Sequence, residues 1–175
     1  MLEVLANRRV SVIDRFADAA SRLDKAGIAM LVIAAIIATA LVARSQWRAM
    51  VTVTLAVLVA QALATGLKDV IAEPRPPRHL MLVPAAGWAM PSTHAAYSAA
   101  AAVALVLAVR WASDAWRLVA AAVLAMAAAS VGFLMVYAGV HWLSDVLIGW
   151  MLGGAVGVGV NVLTRVVAAT RPAPT

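Results

Sequence analysis

The chain has 175 residues and no cysteine. That absence excludes disulfides, thiolate nucleophiles and Cys-based metal sites together. Charge is also scarce: Asp, Glu, Lys and Arg make up 13% of the residues and aromatics 6%, against 65% hydrophobic residues and a mean hydropathy of +0.94. A soluble domain of this length does not need so much hydrocarbon, so the composition indicates a polytopic membrane protein. There is no internal repeat and no linker long enough to divide domains, which points to one helical domain over residues 1–175. The net charge is +6, but the arginines sit at the ends of apolar runs and form no basic stripe interleaved with aromatics. Such a distribution suits lipid headgroups and orientation in a bilayer, and argues against nucleic acid as a partner.

What the chain does contain is a succession of apolar runs. Residues 1–25 place Leu2, Leu5, Val12, Phe16, Ala20 and Leu23 at three- or four-residue steps apart from a gap at Arg9, predicting an amphipathic helix on the membrane surface, with a solvated capping helix as the alternative. Mixed charges interrupt it, so it lacks the unbroken apolar stretch of a signal peptide. Five runs follow, near residues 26–43, 49–67, 93–110, 117–136 and 143–164. Each is close to the ~20 residues that cross a bilayer core. The expected fold is therefore all-α: a transmembrane bundle of about five spans over residues 26–166, with a short tail at 167–175. Gly149, Gly153 and Gly157 recur at four-residue spacing in the last run. They predict close helix packing within the chain, with a homodimer interface as the alternative use of the same stripe.

Successive spans alternate direction, so the breaks after the second and fourth spans emerge on one membrane face. Those two breaks hold nearly all the chemically capable side chains outside the termini. Lys68 ends the second span, and Arg75 and Arg78 stand in the proline-restricted run Pro74-Arg75-Pro76-Pro77-Arg78. Guanidinium groups on a stiff backbone suit bidentate phosphate binding, with Lys68 as a point charge beside them. Pro91-Ser92-Thr93-His94 precedes an Ala-rich span, so Ser92 and Thr93 either cap a helix or present hydroxyls and backbone N–H groups to an anion. His141 and Asp145 are four residues apart, on one face of a helix that begins there. A carboxylate on one imidazole nitrogen fixes the tautomer and leaves the other nitrogen to attack, while His94 can serve as general acid. Two histidines and a carboxylate can also hold zinc. The spacing is not that of His-Glu-x-x-His, however, and Lys68 and Arg75 would repel a cation, so an anion site without a metal is the expectation.

Taken in order, Lys68-x6-Arg75-Pro76, Pro91-Ser92-Thr93-His94 and His141-x3-Asp145 resemble the three motifs of the type 2 phosphatidic acid phosphatase superfamily of integral membrane lipid phosphatases. The resemblance covers residues 68–145. It implies metal- and cofactor-independent hydrolysis of a terminal phosphate through a phosphohistidine on His141, with His94 as acid and Asp145 orienting His141. It also implies that Lys68, Arg75 and Ser92 hold the phosphate. Related members act on phosphatidic acid, phosphatidylglycerol phosphate, and polyprenyl phosphates or diphosphates, and a bacterial cell membrane is the expected setting. The chain departs from the pattern in two motifs. Thr93 stands where the family has glycine, and Leu134-Met135 stand where it has Ser-Arg, so an arginine expected to contact the phosphate is absent. A degenerate member that binds or moves lipid phosphates without turnover is the alternative that Met135 raises.

Overall fold

The computed structural model describes residues 46–170. The amphipathic helix expected over 1–25, the span expected over 26–43 and the last five residues of the tail lie outside the described residues. Four helices carry the rest: α1 (Trp47–Ile71), α2 (Thr93–Ala108), α3 (Asp114–Tyr137) and α4 (Leu143–Ala169). A single 3-10 turn, Arg78–Leu80, sits in the long connection between α1 and α2.

All-helical structure follows from hydrocarbon surroundings, where each backbone N–H and C=O must be satisfied within its own segment. α1, α3 and α4, of 25, 24 and 27 residues, are long and apolar enough to cross a membrane. The fourth helix differs from the expectation: α2 has only 16 residues, or ~24 Å of rise, short of a full bilayer core. Three spans, not five, are therefore established among the described residues.

Helix boundaries depart from the hydropathy runs for physical reasons. α1 continues four residues past the expected end at 67, because Lys68 and Asp69 do not stop a helix. It stops where Ala72 takes a left-handed conformation (φ 51°) and returns its N–H to the Lys68 carbonyl, just ahead of Pro74. α3 starts at Asp114 because the Ser113 hydroxyl caps it, accepting from the Trp116 N–H. α4 runs on to Ala169, shortening the expected tail.

α2 lies against α1, α3 and α4. It is rich in alanine, with Ala100 and Ala104 buried beside Val53, Ala56 and Ala60 of α1, and Ala95 buried beside Val136 of α3 and Val146 of α4. Small side chains let backbones approach closely, and the glycine stripe of α4 takes this furthest. A Cβ at Gly149 would stand 2.6 Å from the Ser92 carbonyl oxygen, one at Gly157 would stand 2.9 Å from the Val103 Cβ, and one at Gly153 would overlap the Ala96 carbonyl. The homodimer is accordingly not supported, because α2 of the same chain covers all three glycines.

The two ends of the bundle are chemically distinct. At one end Gln46 exchanges hydrogen bonds with the Arg110 backbone and Arg165 donates to the Leu107 carbonyl. At the other, the connections 72–92 and 138–142 meet, with the Leu82 N–H donating to the Ala138 carbonyl at 2.9 Å. Trp47, Trp111 and Trp116 mark the first end, and Trp88 and Trp142 the second, the aromatic belts of a protein that spans a bilayer.

Gly153→Leu should lower the thermal unfolding temperature in detergent, at a cost of about 1–3 kcal/mol or more from overpacking against Ala96. Gly154→Ala on the same helix, where a Cβ meets nothing within 4 Å, should leave it unchanged. Size-exclusion-monitored melting of the two variants checks the contrast.

Candidate active site

Asp145 organises the site. It is the third residue of α4, and its carboxylate reaches back to accept the Trp142 N–H at 2.8 Å, the acidic half of a capping box. The same oxygen, Oδ2, lies 3.2 Å from His141 Nδ1. Both residues are buried, His141 at 4% exposure and Asp145 at 0%. With Nδ1 held by the carboxylate, Nε2 is the nitrogen left to react.

α2 brings the second motif to this point. Its N-cap, Ser92, is fully buried and donates its backbone N–H to the Asp145 carbonyl at 2.9 Å, which ties the start of α2 to the first turn of α4. The Ser92 hydroxyl also accepts a long contact from the Ala95 N–H at 3.5 Å. Thr93 is buried, and its hydroxyl has no hydrogen-bond partner within the protein. His94 stands on the half-buried side of the first turn, its ring 5.4 Å from that of Tyr97. The positive end of α2 is thus directed at the cluster.

The first motif arrives through the connection after α1. Lys68, in the last turn, donates to the Trp88 and Ala89 carbonyls at 3.0 and 2.9 Å. Arg75 donates from Nε to the Ala86 and Gly87 carbonyls and from Nη1 to the Val140 carbonyl at 2.6 Å, adjacent to His141. Arg78 opens the exposed 3-10 turn and makes no hydrogen bond or ion pair with these groups. Lys68, Arg75, Ser92, Thr93, His94, His141 and Asp145 are gathered at one end of the bundle, and Arg78 is not tied to them.

Met135, at the position of the absent arginine, packs with Trp150 against Ala95, Val136 and Val146. Its side chain belongs to the apolar layer directly beneath the site.

The motifs did not single out Trp142. Its Nε1–H donates to the Pro74 carbonyl at 2.9 Å, so one residue links the Arg75 connection to the start of α4. Its position between His141 and Asp145 was the available signal. Gly139 is the other, with φ +70° and the Leu80 carbonyl pressed where a Cβ would go, a conformation and a closeness that only glycine accepts.

Charge favours an anion here. Burial pulls His141 below the ordinary imidazole value; the Asp145 hydrogen bond opposes this, while Arg75 and Lys68 push the same way as burial. The ring is therefore neutral at neutral pH, with Nε2 carrying a lone pair. Burial also lowers Arg75, with Asp145 opposing, but a guanidinium is so strong a base that it remains charged. Among the described residues no three His, Asp or Glu side chains cluster as a cation site.

A family model, the PAP2 superfamily, matches residues 47–169. The crystal structure of the first transmembrane PAP2-type phosphatidylglycerolphosphate phosphatase, from Bacillus subtilis, has a TM-score of 0.79 at 22% identity, over 97% of this chain and 85% of that one. That of Aquifex aeolicus LpxE has a TM-score of 0.70 at 24% identity, over 91% of each. Both share the fold. No curated protein matches the chain.

Because the folded state holds His141 below its unfolded value near 6.5, the unfolded chain binds the proton more readily. The stability that this contributes is fully present above about pH 6.5 and is lost as pH falls toward the lower folded value. Melting in detergent across pH 4.5–8 should show this loss in the wild type and less of it in His141→Gln.

Proposed function

The chain belongs to the PAP2 superfamily, and we propose that it is a membrane lipid phosphatase that hydrolyses a terminal phosphate through a phosphohistidine on His141. It is an integral membrane protein, with three apolar helices of spanning length. The observation that carries the proposal is the buried His141–Asp145 pair at 3.2 Å beside Arg75 and Lys68: a neutral, oriented imidazole next to two fixed cations.

In the proposed reaction Lys68, Arg75 and the Ser92 and Thr93 hydroxyls hold the phosphoryl oxygens. His141 Nε2 attacks phosphorus as the bond to the lipid oxygen breaks, and His94 donates a proton to that leaving oxygen. The imidazolium formed on His141 keeps its Nδ1–H on Asp145, whose charge stabilises it. Water, deprotonated by His94, then attacks the phosphoryl group, releasing inorganic phosphate and restoring His141. The two cations and the α2 dipole stabilise the charge on the transferring group. None of these steps draws on a cofactor. Substrates would enter from the bilayer as phosphatidic acid, phosphatidylglycerol phosphate or a polyprenyl diphosphate. A bacterial cell membrane is the proposed location.

Met135 favours a second reading, in which the chain binds or moves lipid phosphates without turnover. An arginine there would add a charge-assisted contact to the transition state, but at the expense of the apolar layer that Met135 shares with Val136 and Val146.

Purified protein with EDTA should release phosphate from at least one of these lipids. His141→Ala should reduce release by at least about three orders of magnitude, and Asp145→Asn should lower kcat by about two to four orders with a smaller change in KM. Met135→Arg should gain less than about tenfold if Lys68 and Arg75 already complete the anion site. A large gain, or no release by folded wild type, would transfer the assignment to the binder.

A further inference from the structure

At the end of the bundle opposite His141, a cavity of about 480 Å³ lies between α1 and α4. Arg48 and Arg165 stand at its edge. Among the described residues neither has an acidic partner: Arg48 lies over the Trp47 ring, 5.5 Å from its centroid, and Arg165 donates to the Leu107 carbonyl at 2.7 Å. One turn further into the bundle, ~6 Å along each helix, are Thr52 and Asn161. The Thr52 and Thr164 hydroxyls lie 3.0 Å apart and are engaged with the Arg48 and Asn161 carbonyls. Asn161 is different. Its side chain lines the cavity at 4% exposure and makes no hydrogen bond among the described residues. A largely buried amide is costly unless something bonds to it.

We propose that this cavity binds the headgroup of an anionic phospholipid, at a site separate from the catalytic end. The two guanidinium groups suit a phosphodiester at headgroup level, where Trp47 also marks the interface. The Asn161 amide, one turn deeper, is placed for the glycerol ester region, where a lipid offers carbonyl acceptors. Leu55, one turn further along α1, and Val51, Leu163 and Val167, flanking the arginines, line the same cavity and are exposed, an apolar surround for the upper part of an acyl chain. Paired arginines set among exposed hydrocarbon favour a membrane lipid over a soluble phosphate. α1, which separates the two ends, is 25 residues long, ~37 Å, so a lipid held here does not reach His141. The site would steady the α1–α4 contact and is not part of turnover.

Thermal unfolding of the full chain in detergent, titrated with phosphatidylglycerol or phosphatidylcholine, tests this without any activity assay. Phosphatidylglycerol should stabilise the wild type, and phosphatidylcholine should do so far less. The surface double variant Arg48→Gln/Arg165→Gln should raise the half-stabilising phosphatidylglycerol mole fraction about tenfold or more. Arg117→Gln, at the same end, and Lys68→Gln, at the other, should leave it unchanged. Equal stabilisation by phosphatidylcholine would overturn the proposal, as would an equal loss in Arg117→Gln, which would mean general surface charge. A loss in Lys68→Gln would move the lipid to the catalytic end. Full stabilisation by glycerol phosphate in solution would replace the lipid with a soluble anion.

Discussion

The contact between the backbones of α2 and α4 is the constraint on which the rest of this bundle depends. Three glycines on α4 face alanine and carbonyl groups of α2 with no room for a Cβ. Because the helices meet at backbone distance, the Ser92 N–H can reach the Asp145 carbonyl. That bond sets the first turn of α2, with Thr93 and His94, beside the His141–Asp145 pair. A bulkier seam would separate the two halves of the proposed catalytic centre, even with every one of its residues present.

Electrostatics then distinguish this end of the molecule from ordinary membrane-facing polarity. Asp145 satisfies a helix N-terminus and an imidazole with one oxygen, while Lys68 and Arg75 are anchored on carbonyls of residues 86–89 and 140. Fixed cations and a neutral histidine are poised for an anion and penalise a proton on His141. Trp142 adds mechanical coupling, because its indole links Pro74 to the start of α4. Met135 shows the same economy from beneath: in place of a guanidinium it supplies packing under the site. The second reading of function therefore turns on whether two cations suffice.

At the opposite end Arg48 and Arg165 stand apart from the Arg117–Asp114 pair. They border a cavity that the largely buried Asn161 lines, its amide making no hydrogen bond among the described residues. The proposed catalytic site and the proposed lipid site thus lie at opposite ends of one bundle, separated by the length of α1.

Much of this was legible in the chain itself. Hydropathy marks the runs 49–67, 117–136 and 143–164 as membrane helices, since hydrocarbon leaves the backbone no other way to satisfy its polar groups. The expected alternation of spans brings Lys68, Arg75, Ser92, His94, His141 and Asp145 to one face, and the 16-residue α2 preserves that outcome because it still carries the chain from Ser92 to Leu107 at the opposite end. Only the tertiary structure decided the rest. It assigned the glycine stripe to α2 and not to a second copy, left Arg78 on an exposed turn, and placed Met135 in an apolar layer. It also revealed Trp142 and Asn161, whose roles lie in bonds made or missing across more than 60 residues or between helices. Periodicity reports which face of a helix is apolar, but the neighbour that covers that face is a property of the packed chain.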